Sequence, residues 1–333
     1  MSAGSNTEVP RFLVIVAIGL LAAGLLPWIA PNQFYIHIGN IACLNLMFVL
    51  GLAIIARVGQ LSMGHAGFAL VGGYLSALLA MKAGWSPIWG VLAAGAGSAA
   101  LAAILGWIIL RLRGVYFVLV SFSFGQIMVL LSLDMSSLTG GANGLIGIPP
   151  MSVFGYELTS KLSFYPLALA AAGLTVLFTW LLYRSPFGDM LAATAENPRL
   201  TESSGVDTHR YQMVAFAIGS GIAGAAGALS THYFQFISPD SFTFSESVSY
   251  LTMLVVGGRA GVLGPVIGVL VLTPLPELLR SAQGLQHIVY GAVLVLSLLF
   301  VPDGLASLPR VLTNALRRRP HPREASVPME TRP

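Results

Sequence analysis

The consecutive stretches LSFYPLALAAAGLTVLFTWLLY (162–183), RSPFGDMLAATAENPRLTESSGVDTHR (184–210) and YQMVAFAIGSGIAGAAGALSTHY (211–233) decide the fold class. The first and third carry no Asp, Glu, Lys or Arg, and each is long enough for the roughly 20 apolar residues a helix needs to cross a bilayer. The pattern is therefore span, polar excursion, span. Working outward, charge-free stretches recur at 12–56, 58–81, 83–110, 114–133, 247–258, 260–276 and 281–302, and PWIAPN (27–32) breaks the first of them with two prolines and an asparagine. About ten crossings are predicted, near 12–30, 34–56, 65–82, 86–110, 114–134, 162–183, 211–233, 245–258, 262–279 and 284–301. The whole composition agrees with an all-α, polytopic helical membrane protein: of 333 residues 56% are hydrophobic and 9% charged, with a mean hydropathy of +0.81. Soluble domains carry roughly 25% charged residues, so an ordinary soluble enzyme is excluded.

Orientation follows from the placement of cations, because positively charged flanks stay in the cytoplasm. With the N-terminus inside, the inner face receives Arg11, Arg57, Arg111, Arg113, Arg184, Arg199, Arg210, Arg259 and the six tail arginines, against Lys82, Lys161 and Arg280 outside. An even number of crossings then puts both termini in the cytoplasm. The first run has only Arg11 ahead of it and no small-residue cleavage site, so it reads as a retained helix rather than a secretory signal. The cations sit at segment ends and in the tail without aromatic interleaving, which gives no nucleic-acid surface. The tail from 309 on, with RRR at 317–319, reads as a solvated anchor beside anionic lipid.

Several chemistries are missing. The only lysines, Lys82 and Lys161, are followed by Ala and Leu, so no phosphate-cradling P-loop exists and the chain has no ATPase site of its own. The six histidines show no H-E-x-x-H spacing, and Cys43 is a lone cysteine in an apolar run, which leaves no metal or disulfide framework. Ion-driven carriers keep charged residues inside their spans. Here Asp134, Glu246, Glu277 and Asp303 all fall near predicted membrane edges, so transport would draw its energy from elsewhere or be passive.

Two segments interrupt the apolar pattern, RVGQLSMG (57–64) and GGRAGVLGP (257–265). Irregular backbone at membrane depth is tolerated only where protein or a water-filled cavity covers its polar groups, so both point to a transport path. The competing reading is a tight turn with small-residue packing, the reading that GSGIAGAAGALS (219–230) certainly takes. Two excursions stand out. DMSSLTGGANGLIGIPPMSVFGYELTSK (134–161) is the long outer loop, either a plain connection or a surface for a soluble partner. Inside, Gly188–Glu196 reads as a short helix with Asp189 near its positive end and Pro198 just beyond its stop. Phe187, Met190, Leu191 and Leu200 are expected to be exposed for a partner's groove, the alternative being a helix resting on its own membrane face.

The segments GQLSMGHAGFALVGGY (59–74), LRGVYFVLVSFSFGQI (112–127), LTGGANGL (138–145), 185–229, SPDSFTFSESV (238–248), VVGGRAGVLGPVIG (255–268) and FVPDGL (300–305) resemble, in order, the permease subunits of bacterial branched-chain amino acid ABC transporters of the LivM type. Met63 stands where the family typically has Leu, and GGRAG (257–261) where it has GGLGS or similar, which brings Arg259 to the inner gate region.

The resemblance implies a type II ABC-importer-like permease in the bacterial inner membrane, with residues 1–308 as the transmembrane domain. It implies a second permease subunit, two cytoplasmic ATPase subunits that hold ATP and Mg, and a periplasmic substrate-binding protein. The matching loop would dock in the ATPase groove through Phe187, Gly188, Leu191, Ala192, Glu196, Asn197 and Gly205. A path for a small zwitterion needs weak polar contacts, because tight binding would stop release. Candidates are Asn45, Gln60, Ser62, His65, Tyr74, Ser121, Ser123 and Gln126, with Gln60, Ser62 and His65 first because they sit at the interrupted segment; interhelical hydrogen bonding is the alternative for each. Permeases for urea and short amides share the resemblance, and a self-contained channel or facilitator with a regulatory loop is the runner-up class.

Overall fold

The computed structural model describes residues 32–153, 155–259, 261–278, 285–300 and 304–307, together with 19, 21 and 23–29. The first predicted crossing, for the most part, Arg280, Asp303, both termini and the basic tail lie outside the described residues. The numbered helices are α1 (Gln33–Ala56), α2 (His65–Ala83), α3 (Pro87–Ile109), α4 (Val115–Asp134), α5 (Lys161–Arg184), α6 (Pro186–Glu196), α7 (Pro198–Ser203), α8 (Thr208–Phe234), α9 (Phe244–Gly257), α10 (Leu263–Leu272) and α11 (Leu285–Phe300). Six of them, α1 to α5 and α8, are long and apolar enough to cross a membrane.

Local chemistry sets the ends of these helices. Asn32 Oδ1 accepts from the Phe34 N–H at the start of α1, and Ser160 and Ser163 form a reciprocal capping box at the start of α5. Pro87 opens α3, where its missing N–H costs nothing, and Gly84 closes α2 in the left-handed conformation.

The centre of the bundle is α8, packed against α1, α2 and α3. Its glycines make this possible. A Cβ on Gly219 would strike the Gly51 carbonyl of α1, one on Gly224 would strike Ser98 of α3, and one on Gly227 would strike the Ala69 carbonyl of α2. Small residues let the backbones approach, and dispersion contact substitutes for the hydrophobic drive that lipid removes. The inner helices α1, α2 and α8 bury 67%, 61% and 56% of their most apolar windows, whereas α3, α4 and α5 bury only 28%, 22% and 28%. Trp107, Ile108, Leu119 and Leu130 are correspondingly exposed on the outer helices.

The eighth and ninth predicted crossings take another form. α9 has 14 residues, and α10 has 10 and is continued past Thr273 by the short helix Pro274–Leu278, about 21 and 24 Å of helix at 1.5 Å per residue, short of a hydrocarbon core of about 30 Å. They fold back on each other as a hairpin: Gly257 meets the Gly264 backbone, and Gly268 meets the Met253 carbonyl, closer than any Cβ allows.

At one end of the bundle, residues 135–153 and 155–160 form a cap. Its strands β1 (Leu145–Ile146), β2 (Ser152–Val153) and β3 (Tyr156–Glu157) are short; β1 pairs antiparallel with β4 (Phe236–Ile237), and β2 with β3. His232 Nδ1 donates to the Pro149 carbonyl at 2.8 Å and its Nε2 takes the Ser76 hydroxyl at 2.8 Å, tying the cap to α8 and α2. The opposite end carries α6 and α7.

Candidate functional site: a central cavity and a seated helix

Between α1, α8 and the α9–α10 hairpin lies a cavity of about 490 Å³, within the range of small-molecule sites. Two helices present one face each to it. Ile41, Leu44, Asn45 and Phe48 come from α1, and Glu246, Ser249, Tyr250 and Met253 from α9, both with the 0, 3, 4, 7 spacing of a single helical stripe. Phe234 and Phe236 border it toward the capped end. Asn45 Nδ2 donates to Thr273 Oγ1 at 3.1 Å, bridging α1 to the hairpin across the cavity wall. The lining is thus mainly apolar, with a few convergent polar groups and one carboxylate.

The hairpin closes the bundle toward the opposite end. Val262, at its tip, is buried with Leu50 of α1 and Val176 of α5, with Trp180 and Tyr183 packed alongside. Tyr183 also packs on a second cluster, Ile54, Val58, Leu191 and Ala215. Leu191 belongs to α6. One residue at the end of α5 therefore touches both the hairpin tip's cluster and the cluster that seats α6.

The loop around α6 is built by caps. Ser185 Oγ accepts from the Gly188 N–H at 3.3 Å, Pro186 and Pro198 open α6 and α7, and Asn197 ends α6 while its Oδ1 accepts from the Leu200 N–H at 3.1 Å. Thr201 Oγ1 reaches back to the Ala193 carbonyl at 3.1 Å, locking α7 against α6. Gly205 takes φ +83° in the turn before α8, which Asp207 caps by accepting from the Arg210 N–H.

The expectation that Phe187, Met190, Leu191 and Leu200 are exposed holds at Leu200 and is corrected at the other three. Leu191 is fully buried, Gly188 lies against the backbone of Leu182 and Tyr183, and Phe187 stacks on Tyr211 with centroids 5.2 Å apart. Met190 and Ala192 are half-buried. An amphipathic helix lying on the bundle satisfies its apolar stripe there first. Leu200 alone of the four is exposed, and the rest of the free surface mixes Pro186, Ala195 and Gly205 with the polar Asp189, Glu196, Asn197 and Arg199.

Of the expected path residues, Asn45 borders the cavity and Gln126 a narrow crevice between α2 and α4. Gln60, Ser62, His65, Tyr74 and Ser121 are buried in helix packing. His65 Nε2 donates to the Phe48 carbonyl at 3.0 Å, Gln60 Nε2 to the Leu112 carbonyl at 3.3 Å, and Ser121 Oγ takes the Met63 N–H at 3.1 Å. Ser123 lies on the exposed side of α4, bonded to the Leu119 carbonyl. Glu246, set aside in the sequence as an edge residue, lines the cavity; the stripe it shares with Ser249, Tyr250 and Met253 was the signal that could have found it. Among the described residues no cluster of three or more His, Cys, Asp or Glu could hold a metal ion.

A polytopic bundle with a central cavity, a closing hairpin and a helix seated at one end defines a membrane permease. The chain belongs to the family described as "Branched-chain amino acid transport system / permease component", whose profile matches residues 35–298. It is 30% identical to the high-affinity branched-chain amino acid transport system permease protein LivM of Escherichia coli K12, over 92% of this chain and 77% of that one. It is 27% identical to the corresponding LivH of the same strain, over 76% and 88%, and 26% identical to a probable LivM of Methanocaldococcus jannaschii, over 66% and 70%. No solved structure matches the chain. It is a multi-pass permease of the bacterial inner membrane, the permease component of a transport system with other subunits.

Proposed function

We propose that this chain forms the translocation path for branched-chain, hydrophobic amino acids in an ATP-driven importer, with the α1–α8–α9 cavity as the path's substrate-accessible half. The cavity carries the reading: its apolar α1 stripe suits a branched side chain, and the named relatives transport that class. Urea or a short amide, the alternative solutes, would leave Ile41, Leu44 and Met253 without an apolar partner. The cap end then faces the periplasm and a substrate-binding protein, and α6 faces the cytoplasm, with both termini cytoplasmic, about ten membrane-embedded segments in a type II importer-like arrangement, and 309–333 a basic tail. A second permease and two ATPase subunits that hold ATP and Mg complete the assembly.

In this reading α6 couples through two faces. Gly188 and Leu191 fix it to the permease, while Glu196, Asn197 and the exposed part of α7 meet the ATPase. Movement of α6 reaches the hairpin through Tyr183, which packs on both clusters. The channel alternative has no use for a helix seated in this way. The test is ATP-driven leucine uptake by membrane vesicles carrying the whole transporter, with Glu196→Arg in this chain. Uptake is expected to fall at least about tenfold, as when an interface charge is reversed, while the chain still inserts and purifies monodisperse, because Glu196 is exposed. Full uptake by this variant overturns the coupling role.

A further inference from the structure

Glu246 is unlike the rest of the cavity wall. It stands in the first turn of α9, partly buried, and its carboxylate makes no ion pair or hydrogen bond among the described residues. Among the described residues no Lys or Arg lines the cavity. A carboxylate partly withdrawn from water is stabilised by a cation or strong donors. The other side chains of its stripe are engaged or apolar: Ser249 Oγ already donates to the Ser245 carbonyl at 3.0 Å. Across the cavity, Thr273 Oγ1 accepts from Asn45 and keeps its own proton to give.

We propose that Glu246 is the specificity-determining contact for the α-ammonium group of the transported amino acid. This rests on the cavity being the path. The ammonium supplies the missing cation, the Asn45–Thr273 pair offers donors to the substrate carboxylate, and the α1 stripe takes the side chain. An exposed single charge-assisted contact also keeps retention weak enough for release. A neutral amide fills one requirement, hydrogen-bond donors, but not the charge.

The test is solute protection of a cysteine placed in the cavity, Ser249→Cys in a Cys43→Ser background, in the fully assembled transporter in proteoliposomes, labelled with a small thiol reagent. Leucine is expected to slow labelling, and 4-methylpentanoate, with the same apolar body and carboxylate but no ammonium, to give no protection. Glu246→Gln should raise the leucine concentration needed for half-protection about tenfold to a hundredfold, the range for a hydrogen bond to a charged group, and Glu246→Asp should recover part of it. Equal protection by leucine in the Glu246→Gln chain overturns the ammonium contact while leaving the cavity as the path. Labelling that no solute slows, and that leaves uptake intact, overturns both.

Discussion

In 57–64 the chain turns at Gly59, φ +79°, and runs Gly64 against the backbone of Ser121, so that Gln60, Ser62 and His65 are enclosed by α1, α2 and α4. In 257–265 the chain also turns on glycines, with Gly258 at φ +110°, but the two helices it joins are short and stop beneath a cavity. The same composition, Gly with small polar or apolar residues between hydrophobic runs, yields a packed joint in one place and a closure in the other. What separates them is the length of the flanking helices. α1 and α2 have 24 and 19 residues and can cover the joint between them, whereas the shorter α9 and α10 border a cavity, α9 along its side and α10 at its Thr273 end.

The sharpest break in this comparison is Gly64→Val. The new side chain would have to displace the Ser121 carbonyl, and backbone cannot yield as a flexible side chain does. Overpacking costs about 1–3 kcal/mol or more, so most of the protein should be lost from the monodisperse peak in detergent size-exclusion chromatography. Gly261→Val is the control in the other segment: a Cβ there meets nothing within 4 Å, and the peak should be preserved. Equal loss in both would mean that position 261 is enclosed like Gly257 and Gly264.

A smaller effect, and a functional one, is expected of Val262→Ala. Val262 is 5% exposed at the hairpin tip, against Leu50 and Val176. Truncation costs about 1 kcal/mol as a large-to-small core change, too little to unfold the bundle but enough to loosen the closure. ATP-independent efflux of preloaded leucine from proteoliposomes should rise several-fold. A drop in melting temperature without efflux would assign the hairpin a packing role alone.

The long spans were legible because a charge-free run of about 20 residues is a strong and local signal. The expected 34–56 and 65–82 compare with Gln33–Ala56 and His65–Ala83. The hairpin was not legible, since 245–258 and 262–279 are apolar enough to read as crossings and only the pairing of Gly257 with Gly264 and Gly268 with Met253 shows them folding back. The site was half legible for a related reason. Asn45 stood out as a polar residue in an apolar run, while Glu246 looked like an edge residue because sequence position does not report which helix face meets a cavity. Around α6 the short helix and its stop before Pro198 were readable, but the direction in which Leu191 points depends on the shape of the bundle beneath it.

The finest distinction between the two segments rests on Ser62, one of the three residues, with Gln60 and His65, that the sequence favours first as solute contacts. Ser62 is 1% exposed and its hydroxyl has no hydrogen-bond partner among the described residues. Removing a buried hydroxyl that bonds nothing relieves a desolvation cost rather than breaking an interaction. Ser62→Ala should therefore raise stability slightly, by up to about 1 kcal/mol, and leave leucine uptake and its KM within about twofold. Thermal denaturation and uptake measured on the same preparation separate the two roles. Uptake that falls further while the melting temperature holds would mean that Ser62 meets the solute at some stage of transport, and the joint at 57–64 would then belong to the path together with the hairpin.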